Sequence, residues 1–448
     1  MLVEGRNSVS RRQFLQGAAL IGVSVAVAAC VPPTAAPATS EQAAAGDAVT
    51  GAPVEIDYWD MVWGPPEYID TGKKLIDQFN SEHPEIKVTY QSTPWANWYE
   101  TFVTAIGSGT APDISTGAAY QAADFYNQGQ IATVDDVVDD LKNAGKLEDF
   151  FPGAVDRLRV ADGHYIAVPW AIDVRIIFAR QDLLDAAGVS LPTTWDEFKE
   201  VAKATTKTDG SQYGYILVGK QTSAQDIWLW LFSNSGGWFK EDGTIDVFSE
   251  RNVESMEFFS GLVKDGLVHP GSVGFTGDDV DKTYGQGGAA MRISNPGVPD
   301  ALPNVADKIV VTSPPIGPHG DQGTISWINN RMIYSQSKAQ EQAKTLMKWL
   351  VDADQALWLE GNCGQLTPRQ SFSENKHFQD RPHLQKIYAE WLAVGKSAGE
   401  RAPGIWPELN AVEGEGYMNT LITDILQGKD VNESLQKVEA ALKGIMKQ

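Results

Sequence analysis

Apolar positions along the chain switch repeatedly between a period of two and a period near 3.6. Val54, Ile56 and Tyr58 alternate with polar neighbours and predict a strand ending at Trp59-Asp60. Ile69, Ile76 and Phe79 then share one face of a helix over about 68–80, which Pro84 stops. The exchange recurs: a strand at Ile86, Val88 and Tyr90, a helical face of Trp98, Phe102, Ala105 and Ile106, and a strand from Ile114 that runs out by Tyr120. Such alternation predicts parallel strands with helices on the sheet faces, and sheets of that kind bind ligands beyond the carboxyl ends of their strands. The loops after Trp59 and after Ser115 therefore face the expected site.

The stretch Asp162–Gly188 breaks this rhythm. A short run, Tyr165 to Val168, meets Pro169 and Trp170; Ile172, Val174, Ile176 and Phe178 then alternate into a helix that Gly188 closes. Proline lacks an N–H and restrains the residue before it, so the pattern predicts an interrupted strand and a crossover between two bodies. Further on, Thr194 and Glu197, and later Ser337 and Gln340, have capping-box spacing at helix starts. Between them lie a strand at Gly214–Val218, an aromatic-rich segment at Asp226–Phe232, a helix over 254–263, and a strand through Met291 and Ile293 that delivers the loop Ser294–Pro299. Thr324 to Ile333 crosses back, a third crossing lies near Gly364–Thr367, and a helix over about 432–446 ends the chain.

Length and charge narrow this picture. At 448 residues the chain exceeds the size at which one core keeps growing, about 250–300 residues, so two lobes are expected. A formal net charge of −22 excludes nucleic acid and anionic membrane surfaces as electrostatic partners. Fourteen tryptophans fit a carbohydrate-handling protein, in which indole faces pack on sugar rings while polar groups take the hydroxyls, although most must be core residues.

Residues 1–29 read as a targeting segment. Ser10-Arg11-Arg12-Gln13-Phe14-Leu15-Gln16 resembles a twin-arginine export signal, with Gln16 where lysine is usual, and Ala18 to Ala29 is too short an apolar run for a spanning helix of about 20 residues. Val27-Ala28-Ala29-Cys30 looks like a lipobox, which implies lipidation at Cys30 and a flexible tether over 30–53, rich in Ala, Pro, Thr and Ser. Cys363 is then left without an intramolecular partner and reads as a small buried hydrophobe.

Several motifs fail on context. Gly214 to Gln221 approximates a phosphate-cradling loop but has Gln221 where the magnesium-binding hydroxyl belongs, and a strand-like run where an open loop is needed. Gly285-Gln286-Gly287-Gly288-Ala289-Ala290 leads into a strand, not a helix. The six histidines show no metal-binding spacing, no G-x-S-x-G elbow is present, and the run Asp135 to Asp140 reads as a solvated helix face. No cofactor or metal is expected.

Six short motifs occur in the order found in one family: Phe79-Asn80-Ser81-Glu82-His83-Pro84 with Ile86-Lys87-Val88; Ser92-Thr93-Pro94-Trp95; Gly109-Thr110-Ala111-Pro112-Asp113-Ile114; Val168-Pro169-Trp170; Pro192-Thr193-Thr194-Trp195-Asp196-Glu197-Phe198; and Gly288-Ala289-Ala290-Met291. After a lipobox, they make nearly the whole mature chain resemble the extracellular solute-binding lipoproteins of ABC importers, in the sugar-binding, maltose-binding-protein-like group (family 1). The resemblance implies an α/β, periplasmic-binding-protein type II-like fold, with two α/β lobes joined by three crossover segments around a ligand cleft. The boundaries it implies are 54–172 plus 328–364 for the N-terminal lobe and 173–327 plus 365–448 for the C-terminal lobe.

Carried over by position, the loop after the first strand offers Asp60 and Trp63, the loop after Asp113 offers Tyr120, and the hinge stretch offers Asp173, with Arg175 as a further ligand residue or as its ion-pair strut. The second lobe offers Asp226, Trp228 and Trp238, and the loop after Met291 offers Arg292 and Asn295. Where many members have Gly-Pro-Trp, this chain has Asn295-Pro296-Gly297, so Trp327 and Trp406 are the candidates to supply the missing stacking face. Trp95 and Trp170, in motifs shared whatever the ligand, read as core.

The implied function is capture of a sugar or oligosaccharide by lobe closure and its delivery to the transmembrane subunits of an ABC permease. The resemblance further implies a monomer outside the cytoplasm, held at the cell membrane only by its N-terminal lipid, and no catalysis. Two alternatives stand beside it: a secreted carbohydrate-active enzyme, for which paired carboxylates flanking a sugar would be needed, and a binding protein for a non-sugar solute such as a peptide or polyamine.

Overall fold

The computed structural model describes residues 52–220, 225–399 and 405–447. The expected export signal, Cys30 and nearly all of the tether lie outside the described residues.

The chain builds two mixed sheets. The first contains β1 (Val54–Met61), β2 (Ile86–Thr93), β3 (Ile114–Gly117), β4 (Val168–Val174), β9 (Thr324–Ile333) and β10 (Gly395–Lys396), in the order β10-β9-β3-β1-β2 with β4 also on β9. β1 pairs in parallel with β2, from Val54 opposite Ile86 to Met61 opposite Thr93, and with β3, as the strand–helix alternation predicts. The prediction of an all-parallel sheet does not hold at β9, which runs antiparallel to both β3 and β4 because it returns from the second half of the chain. The second sheet has the order β6-β7-β5-β8, from β6 (Tyr213–Ile216), β7 (Ala289–Ser294), β5 (Ile176–Arg180) and β8 (Ile309–Val311). Here too β6 and β7 are parallel while β5 is antiparallel to β7 and β8.

Helices cover the faces where periodicity places them. The first, Pro66–Glu82, buries Leu75, Ile76 and Phe79 and ends at His83 ahead of Pro84. Trp195–Thr205 starts with the expected cap, Thr194 Oγ1 accepting from Glu197 N at 3.1 Å, but the Glu197 carboxylate reaches Thr193 instead of completing a box. Ser337 does not cap the helix Gln340–Ala353: its hydroxyl donates to Asp113 Oδ1 at 2.5 Å and accepts from Ala339 N, which ties the loop to the start of β3, where Asp113 also accepts from Asp57 N of β1. The aromatic-rich segment is a helix, Gln225–Phe232, buried from Asp226 onward.

Pro169 does not interrupt its strand. β4 runs from Val168 through Pro169 and Trp170 to Val174, with a register shift against β9 between Pro169 and Ala171. Among the described residues β4 pairs along its length only with β9, so it is an edge strand, and an edge with a bulge tolerates the missing donor. The crossing instead falls at Arg175, between β4 of the first sheet and β5 of the second. All three crossings are bonded together: Arg175 N donates to Ile325 O, and Ile172 and Leu366 exchange backbone hydrogen bonds of 2.9 and 2.8 Å. The two sheets with their helices are thus two α/β lobes meeting at one three-stranded junction.

Candidate functional site

At the carboxyl ends of β1, β2 and β3 the loops bring together an aromatic group. Trp63, after β1, directs Nε1 to Thr116 Oγ1 at 3.1 Å, and its ring meets Trp95 edge-on at 4.8 Å and Trp170 at 6.2 Å. Thr116 in turn donates to Asp60 Oδ1 at 2.7 Å, while Tyr68 and Tyr90 donate to Asp60 Oδ2. Burial pushes the Asp60 carboxyl up and the three hydroxyls pull it back. Asp60 therefore spends its acceptor capacity inside the first lobe and acts on the loop through Thr116. Trp170 is fully buried, as read from the sequence; Trp95 is not core but 37% exposed, with Nε1 fixed on Val62 O at 2.7 Å.

The junction itself carries a charged cluster. Asp173 on β4 lies directly opposite Trp327 on β9. Arg175 Nη1 donates to Asp173 Oδ1 at 2.6 Å, its Nε donates to Gln225, and its guanidinium lies 4.8 Å over the Trp327 ring. The strut between Asp173 and Arg175 therefore exists, and both side chains are buried. Trp327 Nε1 donates to both carboxylate oxygens of Glu413, at 2.8 and 2.9 Å. Burial, with Asp173 adding to it, pushes the Glu413 carboxyl up to about 8 against the pull of Trp327 and Arg175. Asp226 bonds the Tyr215 hydroxyl at 2.7 Å and sits in the fields of Arg175 and Arg292; burial pushes it up to about 6. Tyr120 lies near Glu413 and accepts from Ala398 N at 2.9 Å.

The other candidates are placed differently. Arg292 is within β7, not in the loop after it, and is paired with Asp281 while lying over the Tyr284 ring at 5.5 Å. Asn295 caps its own turn by accepting from Gly297 N, and Gly297 packs against Gly364, whose N–H donates to Trp63 O at 2.8 Å. Trp228 and Trp238 are fully buried at a ring distance of 5.8 Å, the second with Nε1 on Met418. Trp406 packs edge-on against Phe239 at 4.7 Å, and among the described residues its buried Nε1 has no hydrogen-bond partner. Cys363 is free and buried, its thiol pushed well above the usual range by burial.

The structure thus gathers Tyr120, Asp173, Arg175, Asp226 and Trp327 at the junction, and separately sets buried Trp63 against half-exposed Trp95 at the strand ends of the first lobe. Glu413, Gln225 and Thr116 were not singled out from sequence. Nothing in a short helix such as Leu409–Gly414 signals that one of its carboxylates reaches a strand 86 residues earlier. A hydrogen-bonded cluster of charges at the junction and an exposed indole at the strand ends are the group types a polyhydroxylated solute needs: each hydroxyl needs donor and acceptor together, and an apolar ring face needs an aromatic one. Among the described residues no cluster of His, Cys, Asp and Glu could hold a metal ion, and no helix is long and apolar enough to cross a membrane.

Comparison with known proteins agrees with the two-lobed α/β fold. The chain is 27% identical over 293 residues to a binding protein of Brucella abortus, covering 64% of this chain and 69% of that one. It is 32% identical to a sugar transporter protein of Arthrobacter chlorophenolicus crystallised with laminaribiose, at a TM-score of 0.83, covering 87% of this chain and 99% of the other. It shares its fold, at 22% identity and a TM-score of 0.75 over 88% of this chain and all of the other, with maltose-bound MalE3 of T. maritima. The profile of the bacterial extracellular solute-binding proteins matches residues 65–357, and the chain belongs to that family.

Proposed function

We propose that this protein captures a sugar, with a short glucan such as laminaribiose as the first candidate, and hands it to the membrane subunits of an ABC importer. The observation that carries the reading is the hydrogen-bonded cluster of Asp173, Arg175, Trp327 and Glu413 at the junction of the lobes, with the indoles of Trp63 and Trp95 at the strand ends of the first lobe as the aromatic partners. The 32% identical relative with laminaribiose bound supports the choice of ligand class. The lobe boundaries of this reading are 54–172 plus 328–364 and 173–327 plus 365–448, except that the crossing strands β4 and β9 and the short β10 pair within the first sheet past these limits; the bound sugar favours closure because it touches both lobes. Export by the twin-arginine route, lipidation at Cys30, a monomeric state and an extracytoplasmic position at the cell membrane belong to the same proposal. No chemical step is included.

The test is a thermal-shift and calorimetric titration of the purified protein with laminaribiose, maltose, longer glucans, a peptide and a polyamine. A native-state ligand raises the melting temperature, by mass action. Sugars are expected to do so and the other classes not. Trp95→Ala is expected to weaken the sugar that binds about tenfold, the scale of one lost aromatic contact, with little change in the unliganded melting temperature. Stabilisation by the peptide or polyamine alone would overturn the sugar reading, and recovery of cleaved sugar after incubation would favour an enzyme.

A further inference from the structure

Trp327 is gripped at two points. Glu413 holds its indole edge through Nε1, and Arg175 covers its face at 4.8 Å. The ring stands on β9 opposite Asp173, at the strand that passes between the lobes. Glu413 comes from the helix Leu409–Gly414, which is seated on the first lobe: Asn410 Nδ2 donates to Asp124 Oδ2 at 2.7 Å, and Gly414 lies so close to the Tyr99 ring that a Cβ there would be 2.8 Å from it. The next helix, Tyr417–Leu426, is seated on the second lobe, where Met418 accepts from Trp238 Nε1 and Asn419 donates to Gly219 O. The segment 409–426 therefore touches both lobes, and Glu413 is its contact with the crossing strand.

We propose that Glu413 is a positioning residue for ligand capture: by fixing the Trp327 indole it sets sugar affinity and ties it to the seating of the 409–426 segment on both lobes. This rests on the sugar-binding reading above. The groups facing Glu413 are Asp173 and Arg175 from the crossing strands, Tyr120 from the first lobe and Tyr417 from the following helix; Asp124 lies at the Asn410 end of its own helix, and the buried side of the helix Val431–Ile445 is apolar apart from Ser434. Burial keeps both tyrosines neutral across the physiological range. Glu413, raised to about 8, then changes charge within that range. Below that value the neutral acid still accepts from the indole and carries no buried charge. Above it, closing the lobes over an ionised carboxylate costs desolvation, so sugar affinity falls.

The experiment is calorimetric titration of wild type, Glu413→Gln and Glu413→Ala with laminaribiose from about pH 6 to about pH 9, bracketing the group's titration. Wild type is expected to lose affinity several-fold across the upper half of this range. Glu413→Gln keeps a carbonyl acceptor for the indole, and is expected to bind within about threefold of wild type at pH 7 and to lose the pH dependence. Glu413→Ala frees the ring and is expected to bind at least about tenfold more weakly. Should Glu413→Ala fail to fold, the pH profile of Glu413→Gln decides. Wild type binding the sugar while both variants match it in affinity and profile would overturn the role of Glu413 alone; wild type binding no sugar would overturn the reading beneath it.

Discussion

Thr116 Oγ1 accepts from Trp63 Nε1 at 3.1 Å and donates to Asp60 Oδ1 at 2.7 Å, so one buried hydroxyl transmits the position of a core carboxylate to an indole at the strand ends. The same oxygen also accepts from Met61 N, which fixes the last residue of β1. Asp60 sits on β1 and Thr116 on β3, which pair in parallel, so the relay spans two neighbouring strands.

Thr116→Val keeps the shape of the side chain and removes all three bonds. It is expected to destabilise the protein by about 1–3 kcal/mol, the cost of leaving buried polar groups unbonded. Urea denaturation measures that loss, and titration is expected to show weaker sugar binding as Trp63 loses its anchor. Unchanged stability would mean that Asp60 and Trp63 find other partners.

Gly297 and Gly364 form the contact between the loop after β7 and the third crossing. A Cβ on Gly297 would sit 2.5 Å from Gly364 Cα, a backbone atom that no rotamer change can move. Gly297→Ala is therefore expected to push the two segments apart and lower the melting temperature by several degrees, consistent with an overpacking cost of about 1–3 kcal/mol. Because Gly364 N is bonded to Trp63 O, sugar affinity is expected to fall as well. Scanning calorimetry with and without ligand separates the two effects; a variant identical to wild type in both would show the contact to be loose.

Asp226 gives a pH dependence of defined sign. Its folded value, about 6, lies above the ordinary 3.8 because burial outweighs the Tyr215 hydrogen bond and the Arg175 and Arg292 charges. A group raised on folding contributes stability that is complete below its unfolded value and is lost as pH rises through its folded value. The stability of wild type relative to Asp226→Asn is therefore expected to fall between about pH 4 and about pH 7, by about 3 kcal/mol. Chemical denaturation of both proteins across that window measures it, and a flat difference would place Asp226 ionised throughout.

What could be read before the fold was known is what local chemistry decides. The alternation at Val54–Tyr58 and the faces of Ile76, Phe79 and Phe102 fix strands and helices because periodicity reports burial directly. The parallel pairing of the first three strands follows from that alternation; their order in the sheet, β3-β1-β2, does not. Pro169 was legible as a disturbance, but only pairing partners distinguish a broken strand from a bulged edge, and the crossing proved to lie six residues later at Arg175.

Which indoles are exposed was beyond the sequence for the same reason. Trp95 and Trp170 look alike along the chain, yet one is 37% exposed and the other fully buried, since exposure depends on which loops and strands cover each ring. Asp173 could be placed at the hinge by its position near Pro169. Its setting could not: Arg175, Trp327 and Glu413 come from three segments far apart in the chain, and only tertiary structure brings a cation, an indole and a buried acid within contact. The sequence by itself determined the elements, their alternation and the family's motifs; the tertiary structure decided the partners of each polar group, because hydrogen bonds and desolvation are set by what is nearby in space and not by what is nearby in the chain.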